Sequence, residues 1–277
     1  MPNTWPSPQN PLRFDFMSVI DKIVGRSDPS ADQPLANYIT TNPPRTVRDV
    51  IALMDHIDSV LPESDGLKWF NKLYNLVTRA VAAAVEAGRF ANGAHVSTLD
   101  VIFANRYFNA FVQNANGSGA SRAWRPLLQY RQRVGVSRLQ FALAGMNAHI
   151  NHDLALSVVD TCRAENIDLA GGTQFHNDFL LVNDILEETE KASTPILLTG
   201  ALGTIERGMG HVDNVLAMWS VRRARDSAWT NSEVLWSLRN NPTLYNSFAS
   251  TLDGMAGFAG RGLLLPGALE KMEHAQI

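Results

Sequence analysis

From residue 46 onward, apolar residues recur every three or four positions, which is the spacing of a helix with one buried face. The segment TVRDVIALMDHIDSVL, which begins at Thr46, shows this spacing most clearly. The same spacing predicts further helices over 66–88, 97–113, 123–134, 138–163, 174–192 and 211–239, and a last short pair of elements from Pro242. Ser97, with Asp100 three residues later, matches a variant of the capping box and is predicted to cap the helix that it begins. No stretch of useful length alternates apolar and polar residues as a strand does. We therefore predict an all-α, single-domain bundle of about eight to ten helices.

The first 45 residues follow a different pattern, because they contain eight prolines, including the pair Pro43 and Pro44. Proline fixes its own backbone angle and removes an N–H donor, so this stretch is predicted to be an extended arm with one short helix near Phe16–Val24. The predicted organisation is a Pro-rich N-terminal arm over 1–45 and a helical domain over 46–277.

The chain carries 24 basic and 27 acidic residues, with a net charge of -3, and no block of like charge stands out. This balance argues against a nucleic-acid partner and against a polybasic membrane anchor. No run approaches the ~18 apolar residues of a membrane span, and the N-terminus lacks the pattern of a signal peptide. We therefore expect a cytoplasmic protein without a membrane span, and the oligomeric state stays open.

The candidate chemistry lies in the helix predicted over 138–163, which is apolar nearly all round except at GMNAHINHD. At about 100° per residue, His149 and Asp153 share one stripe of this helix, and Asn147 and Asn151 form a parallel one. Imidazoles and carboxylates in a core cost several kcal/mol unless they are paired or bound to metal. The cluster therefore predicts a catalytic centre in which Asp153 orients His149.

Two kinds of chemistry stay open for this centre. His149 and Asp153, four residues apart, can direct a nitrogen and an oxygen at one cation, or they can position each other for proton transfer. If a divalent metal is the cofactor, the predicted ligands are His149, Asp153 and Asp178. The alternative is a structural network that fixes the packing of the helices without catalysis.

Two charged residues on other predicted helices are candidate catalytic partners. Asp178 projects to the edge of the apolar face of the segment that begins at Gln174. Arg106 lies on the apolar face of its own helix, where it needs an acceptor such as Asp178, Asp153 or an anionic substrate group.

A pocket wall is predicted around Arg225, which shares one helix face with large apolar side chains. The alternative for Arg225 is an aromatic core from which its charged end reaches solvent. The residues predicted to bind substrate are Tyr107, Asn151, Asn183, Arg225 and Trp229.

Four segments, LDVIFANRYFNAF, LAGMNAHINHDLALSVVD, NDFLLVNDIL and ARDSAW, occur in this order over 97–236. Together they resemble a family of uncharacterised helical proteins, mostly bacterial, that is defined as a domain of unknown function. In this family the position of His152 varies. The polar positions that match the family's motifs are His149, Asn151, Asp153, Asp178, Asn183 and Arg225. The resemblance implies a helical fold with a shared polar centre and brings no established reaction.

A second, partial resemblance lies in NDILEETEK at 183–191, which is similar to the magnesium-binding pattern of class I terpene cyclases. Glu187 stands where that pattern needs Ser or Thr, and Lys191 stands where it needs an acid. These two departures argue against a terpene cyclase. The buried polar centre predicts a small-molecule enzyme, and the aromatic and apolar content predicts a hydrophobic substrate, such as an isoprenoid or polyketide intermediate, and a role in secondary metabolism. The predicted reaction is a cyclisation, isomerisation, elimination or hydrolysis. The alternative is a non-catalytic helical binding protein.

Overall fold

The computed structural model describes residues 27–198 and 221–266, without the side chains of 190–198. Within these ranges the chain forms nine helices and no strand, which confirms the all-α prediction. The elements are a 3₁₀ turn (Pro29–Asp32), α1 (Gln33–Thr41), α2 (Val47–Val60), α3 (Gly66–Glu86), α4 (Gly93–Ala115), α5 (Arg125–Tyr130), α6, α7 (Gln174–Leu198), α8 (Val221–Ser237) and α9 (Pro242–Leu263). Helix α6 is continuous and has an α-helical part (Arg138–Ala148), a π-helical part (His149–Leu154) and a second α-helical part (Ala155–Ala164).

The start of α2 follows the sequence prediction. The Thr46 hydroxyl accepts the N–H of Asp49 at 3.2 Å, and the Asp49 carboxylate accepts the N–H of Thr46 at 2.9 Å. This reciprocal capping box satisfies N–H groups that the first turn of a helix leaves without partners.

The start of α4 was predicted wrongly. The helix begins at Gly93, and the side chain of Asn92 caps it by accepting the N–H of His95 at 3.2 Å. Ser97, the predicted cap, lies inside the first turns and donates its hydroxyl to the carbonyl of Gly93 at 2.8 Å.

Residues 29–41 of the N-terminal arm are helical where an extended chain was predicted. Pro29 opens the 3₁₀ turn, and α1 follows directly because Leu35, Ala36 and Ile39 share a face that the core buries. Pro34 is tolerated in the first turn, where its missing N–H would have no partner. The helix predicted over 16–24 lies outside the described residues.

The C-terminal part also differs from its prediction. Helix α9 runs without a break from Pro242 to Leu263, where the start of a short pair of elements was predicted, and residues 267–277 lie outside the described ranges. Helix α7 continues to Leu198, and residues 211–220 of the predicted long helix lie outside the described ranges. None of the described helices is long and apolar enough to cross a membrane.

Close packing of α3 against α6 forms the centre of the core. A Cβ atom on Gly145 would come within 2.3 Å of Cγ of Phe70, and one on Gly66 would come within 2.4 Å of Cγ of Phe141. Each of the two helices therefore has a glycine that makes room for a phenyl ring of the other helix. This arrangement allows the close packing that is typical of protein interiors. This contact brings Phe70 beside His149, with ring centroids 5.6 Å apart.

Candidate functional site

The π-helical part of α6 carries a buried carboxylate with three donors around it. Asp153 Oδ2 lies 2.8 Å from Trp124 Nε1 and 3.2 Å from His149 Nδ1. Asp153 Oδ1 lies 2.8 Å from His152 Nδ1. We call these four residues the Asp153 cluster. Single π-helical turns inside α-helices occur often at functional sites, and periodicity along the sequence did not predict this one.

Hydrogen bonding sets the charge state of Asp153. Burial alone would raise its pKa, but the hydrogen bonds from His149 and His152 outweigh burial and hold the pKa below its ordinary range. Burial lowers the pKa of His149, and the opposing effect of Asp153 does not offset it. At neutral pH the pair is therefore a carboxylate and a neutral imidazole. Because an ionised carboxylate only accepts, the proton of His149 sits on Nδ1 and Nε2 carries a lone pair.

Aromatic rings fix the orientation of His149. Its ring stacks on Phe103 with centroids 3.4 Å apart, and the rings of Tyr74 and Trp124 lie at 4.5 and 5.9 Å. His149 is 2% exposed, and its Nε2 has no hydrogen-bond partner. A buried acceptor without a partner costs about 1–3 kcal/mol, so this atom is a candidate for binding or chemistry.

An apolar cavity of about 90 Å³ adjoins His149. Aliphatic and aromatic side chains of α3, α4, α6 and α7 form most of its wall. Since Nδ1 is turned toward Asp153, which does not line the cavity, we infer that His149 meets the cavity with its Nε2 side. The polar groups among the described lining residues are Tyr74, Asp100, His149 and Arg225.

Two of these polar groups were missed by the sequence analysis. Asp100 was read as the capping partner of Ser97, but α4 begins earlier and Asp100 lines the cavity. Burial raises the pKa of Asp100 to about 7, and its Oδ2 has no hydrogen-bond partner. The Tyr74 hydroxyl also has none, and burial, helped by the charge of Asp100, raises the pKa of Tyr74 well above its ordinary value.

Arg225 lines the cavity from α8. Its Nε donates to Asn183 Oδ1 at 2.7 Å, its Nη2 donates to the carbonyl of Phe179 at 2.8 Å, and its guanidinium lies 4.2 Å from the centroid of the Phe179 ring. No carboxylate of the described part of the chain forms an ion pair with it. Burial lowers the pKa of Arg225 to about 9.

Asp178 and Arg106 bind different partners, so neither Asp178 nor Asp153, two of the acceptors considered for Arg106, pairs with it. Both Asp178 oxygens accept backbone N–H groups, one from Ala91 and one from Asn92, each at 2.8 Å. Asp178 thereby holds the loop before α4, while Arg106 pairs with Asp160. The expected metal ligands His149, Asp153 and Asp178 do not converge, and no group of three His, Cys, Asp or Glu side chains within the described ranges is arranged to hold a metal ion.

A family model described as a family of unknown function, DUF5995, matches residues 47–266. The match covers most of the chain and includes the cavity and the Asp153 cluster. This chain belongs to the DUF5995 family. The resemblance to a family of unknown function is thereby confirmed, and no curated protein or solved structure matches the chain.

Three other residues predicted to bind substrate do not line the cavity of this DUF5995 protein. Tyr107 is buried and donates to Asn71 Oδ1 at 3.4 Å. Asn151 donates to Asn147 Oδ1 at 3.0 Å within α6. Trp229 packs on Phe179 with ring centroids 5.0 Å apart. For Trp229, the prediction took the helix face shared with Arg225 as evidence of a shared pocket, whereas its ring packs on aromatic side chains of α7.

The stretch 183–191 that resembles terpene cyclases lies partly on the surface. Arg222 donates to Asp184 at 3.0 Å and to Glu187 at 2.8 Å, and all three side chains are about half exposed. Glu188 pairs with Arg89 at 3.1 Å, also at the surface. Leu186 of this stretch lines the cavity, and Asn183 contacts the cavity wall through Arg225.

Proposed function

We propose that this DUF5995 protein is an enzyme in which His149 acts as a general base on a small apolar substrate bound in the cavity. The single observation that carries the proposal concerns the two nitrogens of His149. Asp153 holds Nδ1 at 3.2 Å, whereas Nε2 of this cavity-lining residue has no hydrogen-bond partner.

The geometry supports proton transfer in three ways. The neutral imidazole offers its Nε2 lone pair, and the Asp153 carboxylate stabilises the imidazolium that forms when Nε2 takes a proton. The cavity wall is mostly apolar, so these charges act in a medium of low dielectric constant. Asp100, whose pKa is raised to about 7 by burial, is suited to return a proton from another part of the wall.

A base and a proton donor on the wall of one cavity favour isomerisation or elimination among the reactions predicted from the sequence. The volume of about 90 Å³ favours small substrates. One water-sized sphere occupies about 10–15 Å³, so the cavity accepts roughly six to nine non-hydrogen atoms. Small isoprenoid and polyketide fragments fall within this range, and a role in secondary metabolism stays a prediction.

Deuterium incorporation tests the proposal directly, because a base that removes a proton from carbon exchanges it with solvent whatever the final product is. The full-length protein is incubated in D₂O with a panel of small apolar compounds that carry an acidic C–H bond, and mass spectrometry measures the deuterium gained. We expect incorporation by the wild type and a loss of about 100-fold or more in His149→Asn. Asn is chosen because its amide N–H can replace the Nδ1–H that Asp153 accepts.

The matched control is His56→Asn, since His56 stacks on Tyr38 with centroids 3.8 Å apart and does not line the cavity. This variant is expected to keep the wild-type rate. Equal rates in wild type and His149→Asn, with both proteins folded, would refute the role of His149.

A second candidate function is a non-catalytic binding protein in which the Asp153 cluster is structural. The observation that favours it is the satisfaction of Asp153 by three donors, each within 3.2 Å. Under this alternative, His149→Asn lowers the melting temperature by several degrees and leaves ligand binding by the folded fraction intact. Under the proposed function, it removes turnover while the melting temperature changes little.

Binding of a divalent metal, the absence of a nucleic-acid partner and a cytoplasmic location stay predictions from the sequence. Elemental analysis of the purified protein tests the first. A stoichiometric metal that is lost in both His149→Asn and Asp153→Asn would add a cofactor to the site proposed above.

A further inference from the structure

Two arginines are buried within the described part of the chain, and their surroundings differ. Arg131 is 2% exposed and pairs with two carboxylates, Asp32 and, at 3.4 Å, Asp65. Arg225 is 6% exposed and has no carboxylate partner among the described residues. A buried charge without a counter-ion costs several kcal/mol. Among the described residues, carboxylates therefore compensate the charge of Arg131 but not that of Arg225.

The donors around Arg225 point to an anion. A guanidinium has five N–H donors, and the hydrogen bonds to Asn183 and Phe179 engage only Nε and Nη2. The Nδ2 amide of Asn183 is buried and has no acceptor either. Two adjacent groups thus hold spare donors, and no acceptor of the described protein is within hydrogen-bonding distance of them.

The rest of the cavity restricts what the anion is attached to. Arg225 is the only Lys or Arg among the described residues of its wall, so a single negative charge matches the site. The planar guanidinium suits the two oxygens of a carboxylate. A dianionic phosphate would bring a second charge into the cavity without a second cation on the wall.

We propose that the cavity binds a small apolar monocarboxylate, with the carboxylate paired to Arg225 and the hydrocarbon part against the aliphatic wall beside His149. The proposal rests on the proposed function only in taking the cavity as the substrate site. The lowered pKa of Arg225 agrees with it, because a bound anion would remove the cost of burying the charge.

Calorimetry on the full-length protein at pH 7.5 tests the proposal with three probes of one length, which are hexanoate, hexan-1-ol and hexylammonium. We expect hexanoate to bind at least tenfold more tightly than hexan-1-ol, and hexylammonium to bind more weakly than either. Hexan-1-ol binding as tightly as hexanoate would overturn the proposal. Inorganic phosphate binding more tightly than hexanoate would overturn the assignment of a carboxylate.

Asn183→Asp is the decisive variant, because it places a carboxylate on the Nε of Arg225 in the ligand-free protein. We expect the melting temperature without ligand to rise, hexanoate affinity to fall at least tenfold and hexan-1-ol affinity to stay unchanged. Unchanged hexanoate affinity would overturn the proposal. A second variant, Arg225→Gln, removes the charge and should reduce hexanoate affinity to that of hexan-1-ol, which keeps the test valid if Asn183→Asp folds poorly.

His149→Asn separates this inference from the proposed function. Hexanoate binding that depends on Arg225 and persists in His149→Asn supports the inference whatever the turnover assay gives. Deuterium incorporation that depends on His149, without any preference for hexanoate over hexan-1-ol, supports the proposed function and refutes the inference.

Discussion

His149 and Phe103 stack face to face, with ring centroids 3.4 Å apart and ring planes inclined by 7°. The stack fixes one face of the imidazole, and Asp153 fixes its Nδ1 at 3.2 Å. The ring therefore has little freedom to rotate, and Nε2 points in one direction. Such preorganisation lets a general base act without a further loss of entropy for alignment.

The first prediction concerns the charge of His149. Because its pKa is lowered below 6.5, the unfolded chain takes up a proton near pH 6.5 while the folded protein does not. The stability that this group contributes is therefore present above pH 6.5 and is lost as the pH falls through the folded pKa. We expect the melting temperature of His149→Asn to fall less steeply than that of the wild type between pH 6.5 and 5.

NMR titration of the imidazole resonances checks the same prediction directly. His149 should titrate below its ordinary pKa, and Asp153→Asn should lower that pKa further, because the Asp153 carboxylate favours the charged imidazole. A His149 resonance that titrates at or above pH 6.5 would contradict the assignment of a neutral ring.

The second prediction tests the indole donor of the Asp153 cluster. Trp124→Phe keeps most of the aromatic packing but removes the Nε1–H that Asp153 Oδ2 accepts at 2.8 Å. Leaving a buried carboxylate oxygen short of a donor should lower the free energy of unfolding by about 1–3 kcal/mol, measured by urea denaturation. The control is Trp236→Phe, which removes an exposed indole bond to Asp168 at 3.1 Å and should cost less than about 0.5 kcal/mol. Equal losses in the two variants would argue against a special role for the buried bond.

The third prediction concerns Asp100, whose folded pKa of about 7 lies above the ordinary value of 3.8. The folded protein holds this proton more tightly than the unfolded chain does. The stability from this group is therefore greatest below pH 3.8 and is lost as the pH rises to about 7. Asp100→Asn avoids this loss. The melting temperature of the variant minus that of the wild type should therefore increase between pH 4 and 7 and stay constant above pH 7. A difference that is independent of pH would show that Asp100 is ionised in the folded protein throughout.

Sequence periodicity predicted the helices well because burial of one face dominates their formation. The segment after Thr46 and the whole of α6 lie where the apolar spacing puts them. The start of α4 failed because Ser97 and Asp100 match a capping pattern, whereas the helix begins at Gly93. There the Asn92 side chain accepts the N–H of His95, and Asp178 holds the preceding loop by accepting the N–H groups of Ala91 and Asn92.

The candidate site was predicted in part. His149 and Asp153 were found because polar residues in an apolar stripe are costly without partners, and Arg225 was found because it shares a face with large apolar side chains. Asp178 and Arg106 were assigned to the centre although each has a nearer partner, Asn92 and Asp160 respectively. A helical wheel gives the direction in which a side chain leaves its own helix. Which side chains pair between two helices also depends on how far the helices are shifted along their axes, and a single sequence shows no pattern from which that shift can be predicted.

The last prediction links the packing of α3 and α6 to the site. A methyl group on Gly145 would come within 2.3 Å of Cγ of Phe70, a ring that lies 5.6 Å from His149. Gly145→Ala should therefore lower the free energy of unfolding by about 1–3 kcal/mol, because the close-packed rings leave no room for the methyl group without displacement. The control is Gly262→Ala, since no atom lies within 4 Å of a Cβ at that helical position, and its effect should be neutral or stabilising by up to about 1 kcal/mol.

Phe70→Leu in the Gly145→Ala background should recover part of the lost stability, because the smaller side chain makes room for the methyl group. We expect the double-mutant cycle, measured by urea denaturation, to give an interaction energy well above the deviation from additivity of about 0.3–0.5 kcal/mol that independent sites show. Turnover should fall in Gly145→Ala more than unfolding explains, since displacement of Phe70 disturbs the ring cage that orients His149. Additive effects of the two substitutions would mean that the two helices do not meet at these residues.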